Sequence, residues 1–320
     1  VTRQQLEFVG IGEVLMDLFE DGHESLGGAP LNTAVHCHRL LQALDLGRAV
    51  IVSAVGDDIR GRHIHNTLAA EGFPTDYLAT SRLRTGWSDV FVRNGEPGFE
   101  IAESAAWDDI GTTPDTDALA ERCDAVCFGS LAQRAAPSRQ TIGRFVKLAR
   151  NALILYDVNL RTNTRSGSRG FSREIIEHSC RAATAVKTNE HELLALAELF
   201  AIRGAAGGEE RMWQAMDFLL REFSLQAVVV TRGAQNTLLL SRGEQIVMPT
   251  APPSQAELHP VGAGDAFSAG MLFGMSQRWP WRTSLELAGK MGTWVAYSPS
   301  DIPPLPEEII EFARNHIRNG

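Results

Sequence analysis

The chain is poor in the features that mark several common function classes. It contains no Gly-x-x-x-x-Gly-Lys loop, and its basic residues are mostly arginine, which excludes a Walker-type ATPase. Four cysteines in 320 residues are too few for a disulfide framework. No apolar run approaches the roughly 20 residues of a membrane span. No basic cluster offsets a net charge of -9, which argues against nucleic acid or an anionic membrane as partner. A nucleotide is not excluded, because it needs only a local positive field. No repeat or low-complexity linker is visible. The N-terminal stretch lacks a basic region followed by a secretory core, so a cytoplasmic location is expected.

What remains is an ordinary globular composition, 44% hydrophobic and 22% charged, in a chain long enough for a large core with a smaller appendage. Strand-like and helix-like segments alternate. Strands are expected at Phe8–Gly12, Ala49–Ala54, Ala125–Phe128, Ala152–Tyr156, Ala183–Lys187 and Ala227–Thr231. Helices are expected at Leu31–Leu44, Ile59–Ala70, Ser138–Arg150, Ser172–Arg181, Glu190–Phe200 and Glu210–Phe223. Short apolar strands between helices imply a parallel sheet covered on both faces, a three-layer α/β/α domain. The last third adds a small strand group at Thr237–Ser241 and Gln245–Met248, then long helices from Ala263, Trp281 and Glu307. Two stretches, 13–26 and 85–107, alternate polar and apolar residues around glycine turns. They read as antiparallel strands inserted as a small β lid, leaving 1–12, 27–84 and 108–320 as the main domain.

Cys123 and Cys127 are expected to be core thiols. His36 and His38, like His63 and His65, stand two apart on helices and diverge, so surface positions rather than a metal site are expected.

Four constellations carry chemistry. In Val261-Gly262-Ala263-Gly264-Asp265 small residues enter a helix, where free N–H groups and the dipole favour an anion. Asp265 would repel that anion, unless it takes a proton from an attacking hydroxyl. Alternatively it is an N-terminal cap. In Gly27-Gly28-Ala29-Pro30-Leu31-Asn32, with Asp17 upstream, acceptors and donors surround a tight turn, as a polyhydroxylated ligand requires; a loop with a helix cap is the alternative. Asp157-Val158-Asn159-Leu160-Arg161 and Lys187-Thr188-Asn189-Glu190-His191-Glu192 both follow strands, at the carboxyl ends where open α/β sheets bind ligands. Asn189 and Glu192 share one helix face, suited to orienting Mg²⁺ waters or to forming a capping box. In Thr231-Arg232-Gly233-Ala234-Gln235-Asn236, Gly233 and Asn236 tolerate positive φ, which suits a loop against a nucleotide.

The order and spacing of these motifs resemble the ribokinase/PfkB-like sugar kinase family over essentially the whole chain. Gly27-Gly28-Ala29-Pro30, Gly56-Asp57-Asp58 with Gly61, Ala106-Trp107-Asp108 and Asp157-x-Asn159-x-Arg161 look most like the fructokinases. The resemblance implies ATP and Mg²⁺, with Asp265 as catalytic base and Gly262, Ala263 and Gly264 as the anion hole. It implies sugar contacts from Asp17, Gly27, Gly28 and Asn32, and from Arg161 near sugar or phosphates. Asn189 and Glu192 would position Mg²⁺ and phosphates, through water. Thr231, Gly233, Asn236 and Gly264 would border the nucleotide. A homodimer through the lid is compatible with it.

The resemblance breaks in places. His259-Pro260 replaces the family's Asp-Thr, Asn236 replaces a glycine, and Ala296-Tyr297-Ser298-Pro299-Ser300 lacks the usual Gly-Ala. A monovalent-cation site is therefore in doubt, and weak or absent potassium activation is expected. Fructose is the leading substrate, with 2-keto-3-deoxygluconate, ribose or a nucleoside as rivals. A non-catalytic sugar- or nucleotide-binding protein is the reading outside the enzyme class. A dinucleotide-dependent oxidoreductase is disfavoured, because Gly10-x-Gly12 lacks a third glycine before a helix.

Overall fold

Segments such as Ala125–Phe128 and Ala227–Val230 have no polar face, so they need cover on both sides, and they receive it. The computed structural model describes residues 5–93, 96–163, 167, 169–202, 208–250, 261–298, 300 and 302–318. The chain begins β1 (Leu6–Ile11), β2 (Leu15–Phe19), β3 (Glu24–Gly27), α1 (Ala29–Ala43), β4 (Gly47–Gly56), α2 (Ile59–Ala70), β5 (Leu78–Ser81), β6 (Gly86–Arg93) and β7 (Glu96–Ile101). It continues with α3 (Pro114–Arg122), β8 (Ala125–Phe128), α4 (Ala136–Leu148), β9 (Leu153–Asp157), α5 (Arg173–Ala182), β10 (Ala185–Asn189), α6 (Glu190–Leu199), α7 (Gly208–Glu222) and β11 (Ala227–Thr231). It closes with β12 (Asn236–Ser241), β13 (Gln245–Pro249), α8 (Ala263–Ser276), α9 (Trp281–Ala296) and α10 (Glu307–Arg318). The sequence reading does not include β5 or α3; the rest of the alternation matches, with ends shifted by a residue or two.

Nine strands form one sheet in the order β13-β12-β11-β10-β9-β8-β1-β4-β5, parallel except that β12 runs antiparallel to both of its neighbours, β11 and β13. Side-chain alternation divides its core. Val9, Ile11, Val126 and Val228 pack under α3 to α7, whereas Phe8, Cys127, Leu155 and Val229 pack under α1, α8, α9 and α10. The result is a three-layer α/β/α fold. Among the described residues, no helix is long and apolar enough to cross a membrane.

A separate four-stranded sheet, β3-β2-β6-β7, stands beside it. The expectation of purely antiparallel strands is corrected here. The hairpins β2–β3 and β6–β7 are antiparallel, but β2 and β6 pair in parallel. Both follow strands of the parallel main sheet, β1 and β5, and leave it in the same direction. Asp58 pins this exit: it accepts from Gly61 N (2.9 Å) to cap α2, and from Thr85 N (2.8 Å) and Thr85 Oγ1 (2.7 Å) just before β6. Trp107 is fully buried behind the joint, with the Arg134 guanidinium 4.0 Å above its ring and paired to Asp108 at 2.7 Å.

Two histidines also depart from expectation. His36 and His38 are buried, because α1 is enclosed between the main sheet and α8. His38 Nδ1 accepts from Ala49 N at 3.2 Å, and its ring meets Phe73 edge-on. His63 is exposed, His65 half-buried. Cys123 and Cys127 are core thiols as expected; burial pushes Cys123 up to about 12.

Candidate active site

The parallel strands end at one edge of the main sheet. Asp157 closes β9, Lys187 and Asn189 lie at the end of β10, Thr231 ends β11, and Glu13 follows β1. These ends, the start of α1 and the start of α8 surround a cavity of about 320 Å³. The small sheet contributes Leu15, Asp17 and Ser88 to its wall. A second cavity of about 250 Å³, bordered by Thr231, Gly233, Phe267, Gly292 and Thr293, shares Thr231 and Gly264 with the first. The two spaces meet at the first turn of α8.

That turn is built to leave N–H groups unspent. Gly262 takes a left-handed conformation (φ 77°) as N-cap, and no side chain caps the helix. The capping alternative for Asp265 is thereby set aside. Asp265 lies within the first turn, and its carboxylate instead accepts from Asn32 Nδ2 at 2.8 Å. Thr33 Oγ1 donates to the Asp265 carbonyl at 3.2 Å, so α1 grips α8 across 232 and 233 positions of sequence. Asp265 keeps part of its surface open to the cavity. Dense surrounding protein and the nearby Asp157 carboxylate nevertheless push its pKa up to about 7, against the pull of Lys187, Asn32 and Arg161.

Lys187 is a site residue that sequence reasoning missed. It is one of only three lysines in the chain, with Lys147 and Lys290, and it sits inside a strand. That combination was the available signal. Its Nζ donates to Asp157 Oδ2 at 2.9 Å and Oδ1 at 3.2 Å. Burial alone would depress the ammonium, but Asp157, Glu192 and Asp265 outweigh it and hold the pKa above its ordinary value. The Lys187 ammonium comes so near α8 that a Cβ on Gly264 would lie 3.0 Å from it. Ser268 Oγ is within reach of Asp157 Oδ2 (2.8 Å) and the Gly264 carbonyl (3.0 Å), tying the ion pair to the same turn.

The other expected residues separate into groups. Asp17, Gly28, Asn32 and Arg161 line the first cavity; Gly27 ends β3, where a Cβ would strike the Asp17 carboxylate. The Arg161 guanidinium lies 4.9 Å over the Phe99 ring. Thr231 and Gly233 border the second cavity, with Gly233 at φ 57°. Asn236 does not take the left-handed turn expected of it. It opens β12, and its amide oxygen accepts from Arg232 at 2.6 Å. His259, Pro260 and Pro299 lie outside the described residues.

Asn189 and Glu192 form a capping box: Asn189 Oδ1 accepts from Glu192 N, and Glu192 Oε2 from Asn189 N, both at 2.9 Å. Glu192 Oε1 accepts from Leu160 N at 2.9 Å, and Thr188 Oγ1 lies 3.2 Å from Oε2. Both residues also face the first cavity. Among the described residues, no group of three or more His, Cys, Asp or Glu is placed to hold a metal. The arrangement is thus no cation cage. It fits an ion that keeps its waters and arrives with phosphates.

The chain matches the pfkB family carbohydrate kinase profile over residues 3–308. It is 30% identical to a fructokinase of Vibrio alginolyticus, over 94% of this chain and 97% of that one. It is 25% identical to the aminoimidazole riboside kinase of Salmonella typhimurium, over 96% and 94%. The fold superposes on the fructokinase with bound ATP from Xylella fastidiosa with a TM-score of 0.74, at 20% identity and 97% and 98% coverage. With residues 3–308 of 320 spanned by that profile, the protein belongs to the pfkB family of carbohydrate kinases and is a sugar kinase.

Proposed function

We propose that this kinase transfers the γ-phosphoryl group of ATP to a hydroxyl of a neutral sugar, fructose being the first candidate. The first cavity takes the sugar, the second takes the nucleotide, and the phosphoryl group passes where they meet. The observation that carries this reading is Asp265, which lines the first cavity from the uncapped first turn of α8, next to Ala263 and Gly264 that border the second, with burial pushing its pKa up to about 7. In the reaction the sugar oxygen attacks the γ-phosphorus, the bond to the bridging oxygen breaks, ADP leaves, and the hydroxyl proton goes to Asp265. The N–H groups of Gly262, Ala263 and Gly264 and the Lys187 ammonium would meet the negative oxygens of the group in transit. The small sheet acts as a lid that excludes water from the sugar.

Neutral sugars are favoured over 2-keto-3-deoxygluconate because the wall of the first cavity carries more carboxyls (Glu13, Asp17, Glu192, Asp265) than cations (Arg161, Lys187), and Lys187 is already paired with Asp157. The test is a panel of ketoses, aldoses, sugar acids and nucleosides with ATP and Mg²⁺, read as ADP release. Strong turnover of a sugar acid with none of fructose would overturn the substrate reading.

Mg²⁺, when bound with the nucleotide, supplies charge neutralisation on its phosphates. Asn189 and Glu192 would reach it only through water, since capping already engages them. Glu192→Gln places an amide N–H against a backbone N–H donor. A loss of about 1–3 kcal/mol in stability is expected, together with a several-fold rise in the Mg²⁺ concentration for half-maximal rate. A lower melting temperature with an unchanged Mg²⁺ titration would leave Glu192 as a cap alone. Potassium activation should be weak, because His259 offers no carboxylate. Replacing potassium by a bulky organic cation at constant ionic strength should leave turnover unchanged; a several-fold loss, restored on adding potassium back, would contradict this.

A further inference from the structure

Three residues on the wall of the first cavity carry a buried polar atom with no hydrogen-bond partner among the described residues: Glu13 Oε2, Asn32 Oδ1 and Ser88 Oγ. Their side chains belong to residues 1%, 3% and 2% exposed. An unmade hydrogen bond at such a site costs about 1–3 kcal/mol. Three of them around one space are tolerated where an entering ligand supplies the missing partners.

Two of the three are simply explained. Asn32 commits its amide nitrogen to Asp265, so its oxygen is left for the cavity. Ser88 is carried by β6 of the small sheet to the cavity wall. Glu13 is the unusual one. It stands at the bend between β1 and β2, where the chain crosses from the large sheet to the small one. Among the described residues it has no ion pair; Arg161, Asp157 and Arg134 act on it only through their fields. Burial pushes its pKa upward, offset in part by its own backbone N–H and by Arg161. The start of α1 is pressed against it, for a Cβ on Gly28 would lie 2.3 Å from the Glu13 carbonyl oxygen. Glu192, a buried carboxyl with a structural task, has both oxygens bonded by the protein. Glu13 borders the cavity and leaves one buried oxygen unpaired at a cost to folding, as a ligand-binding group does.

We propose that Glu13 determines acceptor specificity: its free carboxyl oxygen takes a hydrogen bond from a sugar hydroxyl other than the one phosphorylated. Ser88 Oγ and Asn32 Oδ1 take part in the same recognition. The acceptor they fit is a neutral polyhydroxylated molecule with several neighbouring hydroxyls. This rests on the first cavity being the acceptor site.

The test pairs Glu13→Gln, which keeps the size of the side chain, with D-fructose and its monodeoxy derivatives. The derivative lacking the transferred hydroxyl is measured as a competitive inhibitor. The parent should disfavour at least one other derivative by about tenfold or more in kcat/KM, because a site that bonds a hydroxyl rejects its absence. The variant should lose that discrimination at the same position, keep it elsewhere, and bind ATP with an unchanged KM. A merely structural Glu13 would raise KM for all derivatives alike. Unselective use of every derivative by the parent, or an unaltered pattern in the variant, overturns the proposal. Should the glutamine variant fail to fold, Glu13→Asp withdraws the oxygen by one methylene while keeping the charge, and the same loss at one position is expected. If the parent does not phosphorylate fructose, that part of the functional reading fails separately, and the sugar identified by the panel replaces it in this test.

Discussion

Asp265→Asn is expected to lower kcat by about 10²–10⁴-fold, the range of a positioned general base, while the protein still folds and binds nucleotide. The amide has nearly the same shape, and capping is not at stake because Gly262, not Asp265, opens α8. In the parent, the rate should fall as pH drops through about 7, where the raised pKa of Asp265 leaves the base protonated. The linkage to stability has the opposite sense. A carboxyl whose folded pKa is raised costs stability as pH rises from its ordinary range through about 7, since the folded state must then give up a proton it holds firmly. The variant should therefore melt no lower than the parent at pH 8, and higher if Asp265 is ionised there. Near-parental turnover in Asp265→Asn would remove it from the role of base. Impaired folding would show that the Asn32–Asp265 contact matters mainly for structure.

The second large effect is expected at Lys187. Replacing it with Met leaves the Asp157 carboxylate buried beside Ser268 without its cation. Breaking a buried pair from one side costs about 3–5 kcal/mol, so Lys187→Met should melt far below the parent. The companion variant Lys187→Met/Asp157→Asn removes both charges and should recover much of that stability. It should not recover turnover, which is expected to stay about 10²–10³-fold down, as when one preorganised stabilising group is removed from a site of developing charge. Recovery of both together would mean that the ion pair only braces β9 and β10 against α8.

Much of the fold was legible because its periodicities are strong. Ala227–Val230 and Ala125–Phe128 allow only a strand covered twice, and α2 starts and stops where Asp58 and the apolar spacing place it. The parallel pairing of β2 with β6 was not legible, since it depends on where two distant strands leave the main sheet. The site shows the same division. Small residues before a helix bring out Asp265 from local sequence alone, and Asn189 with Glu192 declares a capping box. Lys187 escaped because a lysine near a strand end ordinarily points to water; only the Asp157 at the end of the adjoining strand explains it. Glu13 and Ser88 escaped for a stronger reason. Their significance lies in missing partners, which no sequence spacing encodes.

The most direct measurement follows the γ-phosphate itself. Purified protein, fructose, Mg²⁺ and γ-labelled ATP are combined, and label is tracked into sugar phosphate and inorganic phosphate while ADP is measured alongside. The expected result is one labelled sugar phosphate per ADP with the parent, little release without sugar, and almost no transfer with Asp265→Asn. ADP formed with its label in inorganic phosphate, or equal transfer by parent and variant, would contradict a sugar kinase driven by that carboxylate.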